Sequence, residues 1–200
     1  MSNAQEVVSM GDMAVELEPR TFTVAEYHRM VEAGILGARE RVELLDGVIV
    51  SMPPIGVPHW SRHGHILKYL FGKLDGRAQV QGQISIPLGE WSEPEPDVAV
   101  LADLPYDRLN RVPASAEIYA VVELSESSLK KDTGTKRRLY ASFVIADYLV
   151  VDLAGDVLLH FSAPRDGDYP DPRSLGRDDS FVLTALPDLV LAAGPFLGPS

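Results

Sequence analysis

The stretches PEPDVAVL (residues 94–101) and IYAVVELS (residues 118–125) decide how this chain is read. Asp97 opens the first apolar run, and Glu123 closes the second, 26 residues later. A third stretch, KKDTGTKRRLYA at 130–141, sets Lys136 early on the helix that follows. Short apolar, β-branched runs bounded by turn residues read as strands. The 118–125 run is almost continuously apolar, as a central strand covered on both faces would be.

Strand alternation puts Tyr119, Val121 and Glu123 on one face and Ala120, Val122 and Leu124 on the other. A carboxylate closing such a strand is costly to bury unless a cation, a hydrogen-bond donor or water meets it. Asp97 poses the same question where its own strand begins. If the two strands are neighbours, both carboxylates can hold one Mg²⁺ (or Mn²⁺), with the Leu124 backbone carbonyl as third protein ligand. Such an ion prefers oxygen ligands and keeps several waters. Lys136 shares a helix side with Tyr140. An ammonium there can position or deprotonate an attacking water, or stabilise charge on phosphorus. The metal would polarise the phosphoryl oxygen and acidify its bound water. Taken singly, a Pro-Asp pair reads as a turn, a strand-end Glu as a solvated edge, and Lys136 as part of a solvated face. Spacing alone leaves a metal site and scattered charges both open.

Working outward, Thr23 and Glu26 form a capping-box pattern, so the spacing predicts a helix over 24–33, ended by Gly34. VELL (42–45) and VIVSM (48–52) flank Asp46-Gly47, a strong hairpin signal that puts Glu43 on its first strand. Helical spacing continues from His59 to Leu74. Residues 78–88 alternate like a half-buried strand, and a helix is expected over about 133–143 with Asp132 or Thr133 as N-cap. Strands at 147–153 and 156–162 form a second hairpin. Residues 163–180 read as a long surface loop, and 181–191 as a last strand or two at an edge. The order of elements predicts a mixed α/β sheet of α+β character. Residues 1–20 read as a loose arm, with Ser2-Asn3-Ala4 resembling a tag remnant, and 21–200 as one domain.

Of the 200 residues, 46% are hydrophobic and 24% charged, ordinary values for a globular protein. The absence of cysteine excludes disulfides, a thiolate nucleophile and a thiolate zinc site. No run is apolar enough for a membrane span and no signal-peptide pattern opens the chain, so cytoplasm is the expected compartment. The net charge of −11 argues against a nonspecific nucleic-acid coat protein. Yet five of the 18 basic residues fall at Lys130, Lys131, Lys136, Arg137 and Arg138, a local patch for a phosphate backbone. His59, His63 and His65 lack the glutamate that zinc-protease spacing requires, since Trp60 follows His59. They read as a polar helix face near the cleft, with substrate phosphate within reach of His59. Asp166, Asp168 and Asp171 lack the glycine and glutamate of a calcium loop. Ser125, Ser127 and Ser128 lack a nucleophile elbow.

PEPDVAVL, VVELSESSLKKDTGTKRRLYA and DYLVVD, preceded by RVELLDGVIVSMPP, resemble the Uma-type restriction-endonuclease family of the PD-(D/E)XK nuclease superfamily. The resemblance spans roughly residues 20–190. It implies a restriction-endonuclease-like core: a mixed sheet flanked by helices with an N-terminal hairpin. It also implies an endonuclease that hydrolyses phosphodiester bonds in DNA with Mg²⁺ or Mn²⁺. Asp97 would be the PD aspartate, Glu123 the acid of the second motif, and Glu43 an additional upstream acid. The superfamily pattern wants lysine two residues after Glu123, where this chain has Ser125. Lys136 is the candidate replacement, with Asp132 as N-cap and local partner and Tyr140 supporting the site from behind. Lys130, Lys131, Arg137 and His59 are the expected substrate contacts. Val144 and Leu149 stand where similar sequences carry glycine and tryptophan. A homodimer is expected, because cutting both strands of DNA uses two sites. The rival reading is a nuclease-like module that binds protein or nucleic acid with weak or lost chemistry. A third is a nuclease for a small nucleotide or structured RNA.

Overall fold

Helix α1 (Val24–Glu32) starts at a complete capping box: the Thr23 hydroxyl accepts the Glu26 N–H at 3.2 Å, and the Glu26 carboxylate accepts the Thr23 N–H at 3.1 Å. The computed structural model describes residues 19–37 and 40–198; most of the expected N-terminal arm, 1–18, lies outside them. Strands β1 (Val42–Leu45) and β2 (Val48–Ser51) form the expected antiparallel hairpin. Its turn residues Asp46 and Gly47 have φ of 49° and 79°, the primed geometry that matches strand twist. A Cβ on Gly47 would lie 2.6 Å from the Thr21 Cβ, so both φ and space demand glycine there.

Helix α2 (Val57–Leu74) begins two residues earlier than the sequence suggests, with Pro58 in its first turn, where no N–H is needed. Strand β3 (Gln79–Gly82) is much shorter than the alternation over 78–88 predicts. Gln83 takes a left-handed φ of 51° and turns the chain out of the sheet. Ile86 and Leu88 stay buried without being strand. After β4 (Val98–Leu101), a short helix α3 (Tyr106–Leu109) leads to β5 (Ile118–Ser125).

The next helical stretch starts at Leu129, not near 133. It runs through α4 (Leu129–Lys131), a wider π turn (Asp132–Lys136) and α5 (Arg137–Ser142). Asp132 therefore sits inside helix with φ −69°, and the N-cap role expected of it is wrong. Strands β6 (Asp147–Asp152), β7 (Val157–Ser162), β8 (Arg173–Leu175), β9 (Ser180–Leu183) and β10 (Leu186–Ala192), then helix α6 (Gly194–Leu197), complete the described chain.

The main sheet has six strands in the order β3-β4-β5-β6-β7-β8. Only β5 and β6 pair in parallel, which makes it a mixed sheet of the expected class. Strand parity sorts its side chains into two cores. Val98, Val100, Ala120, Val122 and Leu124 pack with Ile66 and Leu70 of α2 and Phe196 of α6. Ala99, Leu101, Val121, Tyr148 and Val150 pack with Leu139 and Tyr140 of α5 and Leu45 of β1. The β9–β10 hairpin is a separate two-stranded sheet whose Phe181, Leu183 and Leu191 join the α2 core. It covers a face, where the sequence suggested an edge. Buried Asp147 holds it there: one carboxylate oxygen lies 2.7 Å from His160 Nε2, and the other accepts the Thr184 N–H at 2.7 Å. The segment read as a loop at 163–180 contributes β8 and buries Tyr169. No helix among the described residues is long and apolar enough to cross a membrane.

Val144, which follows α5, has φ 57° and is largely exposed. A β-branched side chain is strained in that region, where glycine is not. Val144→Gly is expected to raise stability by about 1 kcal/mol in urea unfolding. Leu70→Ala, in the α2 core, is expected to lower it by about 2–5 kcal/mol.

Candidate active site

Antiparallel pairing of β4 with β5 aligns Val98 with Val122. One step further along that register, Asp97 comes opposite Glu123. Residues so paired have Cβ atoms roughly 4.5–5.5 Å apart. Asp97 is anchored from across the strands: its Oδ2 accepts the Leu124 N–H at 2.8 Å. A strand residue sends its N–H and C=O to the same side, so the Leu124 carbonyl faces that edge too. The sheet itself therefore brings together two carboxylates and a backbone oxygen.

The helix behind β5 closes the site. Lys136, at the end of the π turn, is buried and sends its ammonium between two acids. Nζ lies 2.8 Å from Glu123 Oε1 and 2.9 Å from Glu43 Oε2. One turn on, the Tyr140 hydroxyl donates to Glu123 Oε1 at 2.9 Å. Glu43, delivered by the β1–β2 hairpin, also takes Lys131 on Oε1 at 2.8 Å and the Glu95 N–H on Oε2 at 3.3 Å. Ser125 stands where the lysine of the sequence pattern would be. Its hydroxyl donates to Asp132, as does that of Ser128, so the start of the helix is tied to the end of β5. Asp132 thus holds two serines, and Lys136 takes its pairs from Glu43 and Glu123.

Burial pushes the Glu123 carboxyl up to about 8, and Lys136 only partly offsets that while Asp132, Asp97 and Glu43 add to it. Burial alone would lower the Lys136 ammonium, but Glu123 and Glu43 outweigh it and hold the group above its ordinary value. Lys136 is therefore a poor base. Of the roles open to it, orienting water and neutralising charge fit its setting better than taking a proton.

A cleft with about 60 Å³ of free space opens onto these groups, between Arg41, His59, Glu95, Asp97, Glu123 and Lys136. A water needs roughly 10–15 Å³ on this scale, so an ion with a few waters fits. Among the described residues, no group of three or more His, Asp or Glu side chains is placed to hold a metal. The oxygens that meet at this edge are fewer: those of Asp97 and Glu123 and, by strand parity, the Leu124 carbonyl. Lys136 and Tyr140 both address Oε1 of Glu123, leaving Oε2 without a donor among the described residues. Two carboxylates and a carbonyl, all hard oxygens, suit an ion that retains much of its water shell.

The other candidates divide. His59 Nε2 lies 3.1 Å from Asp97 Oδ1, so it steadies that carboxylate from α2. Lys131 lines the cleft while pairing with Glu43. Lys130 is exposed and does not line the cleft. Arg137 points elsewhere, pairing with Asp168 and lying over the Phe161 ring. Its expected contact with substrate is not supported, because the helix turns it toward the 163–180 segment. Arg41 and Glu95 line the cleft and were not singled out from sequence. Each lies two residues before a candidate acid, Glu43 or Asp97, so strand parity carried outward would have found both. Sequence alone shows His63 as part of a polar helix face; its Nε2 sits 2.9 Å from the Asp97 carbonyl and helps fix the start of β4.

A family model named Uma2, described as "Putative restriction endonuclease", matches residues 24–194. A crystal structure described as "a putative nuclease belonging to DUF820", from Anabaena variabilis, superposes with a TM-score of 0.63 at 12% identity. That match covers 88% of this chain and 97% of the other. At that identity the likeness is one of fold. No curated protein matches the chain.

Between its ordinary value of 4.5 and about 8, folded Glu123 keeps a proton that the unfolded chain has released. In metal-free protein this group makes stability fall as pH rises through that window, by at most about 1.4 kcal/mol per pH unit. Urea unfolding in EDTA across that range should show the fall in wild type and a flatter profile in Glu123→Gln.

Proposed function

The chain belongs to the Uma2 family, and from that membership and its acid–lysine cleft we propose that it is a divalent-metal-dependent nuclease hydrolysing phosphodiester bonds in DNA. The family supports a nuclease-like function. The observation that carries the finer reading is the meeting of Asp97, Glu123 and the Leu124 carbonyl at one strand edge, with the Lys136 ammonium on Glu123. Asp97, Glu123 and Leu124 would hold Mg²⁺ or Mn²⁺. When bound, that ion supplies neutralisation of phosphate charge and a more acidic water. The chain's own groups do the rest. The Leu124 N–H and His59 fix the Asp97 carboxylate. Tyr140 and Lys136 hold Oε1 of Glu123. Glu43 keeps Lys136 charged beside the reacting phosphate, where an ammonium stabilises developing negative charge. Glu43 is then a positioning residue: it reaches the chemistry through Lys136. Lys131 and Arg41 lie at the mouth, where phosphate would arrive. A homodimer is the arrangement that cutting both strands of a duplex would use.

Cleavage of plasmid and single-stranded DNA with Mg²⁺ or Mn²⁺ is the test. Asp97→Asn, Glu123→Gln and Lys136→Met are each expected to lose at least about 10²-fold in rate, with folding checked by circular dichroism. Wild-type turnover that survives unchanged in all three variants would remove the assignment. Metal binding without turnover in the wild type would leave a binding module in its place.

A further inference from the structure

Trp60 is 69% exposed, although tryptophan is among the most costly side chains to leave in water. It directly follows His59, which touches Asp97. Successive helix residues are about 100° apart, so the indole leaves α2 beside the cleft-facing position. Val57, one turn earlier, is 76% exposed, and Ile55, itself a cleft-lining residue, is 40% exposed. Ile55 lines the cleft, and Val57 and Trp60 are the next large exposed apolar side chains along the same segment. Arg41 donates to the Pro53 carbonyl at 2.8 Å, two residues before Ile55, and Lys131 lines the cleft and remains partly exposed. The cleft thus has the cations Arg41 and Lys131 in its lining and exposed apolar and aromatic side chains next to it.

The reacting groups lie deep. Glu43, Glu123 and Lys136 are all buried, and the free space before them is about 60 Å³. A phosphate embedded in a rigid duplex cannot be brought to that depth without the whole helix following. A single strand can bend inward while its bases splay out. Sequence-tolerant binding of single strands combines cations along the backbone with aromatic platforms for the bases. An acidic chain of net charge −11 gains little from the dense charge of a duplex and relatively more from stacking.

Resting on the nuclease reading above, we propose that the substrate is single-stranded nucleic acid, or a strand end or flap, and that one of its bases stacks on Trp60 while the adjoining phosphate enters the cleft. A single strand needs one cleft, so this mode of action does not call for paired sites. Trp60 would contact substrate without taking part in bond breaking.

The test uses the full chain with a fluorescein-labelled oligothymidine and a hairpin duplex of equal phosphate count, by anisotropy in Ca²⁺ at fixed salt. Wild type should bind the single strand more tightly than the duplex. Trp60→Ala should weaken single-strand binding roughly 5- to 150-fold, Trp60→Phe should keep most of it, and Trp91→Ala, at the other exposed tryptophan, should change nothing. Equal or tighter duplex binding, or Trp60→Ala binding like wild type, overturns the proposal. So does sedimentation showing that Trp60→Ala only separates two copies of the chain while single-strand binding persists. Cleavage in Mn²⁺ separates the two readings. Turnover with a silent Trp60→Ala leaves the nuclease and removes the platform. Trp60-dependent binding without any turnover keeps the platform and removes the nuclease.

Discussion

One buried ammonium organises this end of the molecule. Lys136 comes from the helix after β5, yet its two partners come from elsewhere: Glu123 from the central strand and Glu43 from the N-terminal hairpin. Taking these ionisable groups out of water is unfavourable unless they meet closely, and removing one member of a buried charged group costs about 3–5 kcal/mol. Hairpin, sheet and helix are therefore held in one relative arrangement by the site itself. Lys131 on Glu43 and Tyr140 on Glu123 supply the further hydrogen bonds that make the burial tolerable.

That constraint explains the missing lysine two residues after Glu123. A lysine at Ser125 would lie on the same strand face as Glu123 and reach the site from the sheet. Here the ammonium arrives from the helix, so the strand position is free for a short side chain. Ser125 uses it to bind Asp132, which sets the depth at which the helix begins. Tyr148 adds a bond to the Asp132 carbonyl at 3.0 Å. The π turn across Asp132–Lys136 lies between that anchor and the ammonium it presents, and such irregular turns recur at functional sites.

Much of this was legible in the chain. The Asp-Gly dipeptide gave the hairpin because its two positive φ angles have few other solutions. Period-two alternation placed Glu123 on one face of β5 with Val121, and helical spacing paired Lys136 with Tyr140. What stayed hidden depends on long-range geometry. Gln83 is an ordinary residue that turns left-handed only in its tertiary setting, so the alternation to Leu88 looked like one long strand. The start of the helix at Leu129 is set by serine bonds to a residue inside it, not by a cap. Arg137 belonged to a basic run in sequence, but helix rotation carried it to Asp168 on another side. The placement of β9 and β10 over a face rests on Asp147, far away in the chain.

In the proposed site, Asp97 and Glu123 hold one divalent ion beside Lys136. The most direct test is anomalous diffraction from a crystal of the wild-type protein grown with Mn²⁺. The expected result is a single manganese peak between the Asp97 and Glu123 carboxylates, within reach of the Leu124 carbonyl, and no such peak in Asp97→Asn. Manganese bound only at a different group of residues, or none at all with the Asp97–Glu123 edge open to solvent, would contradict it.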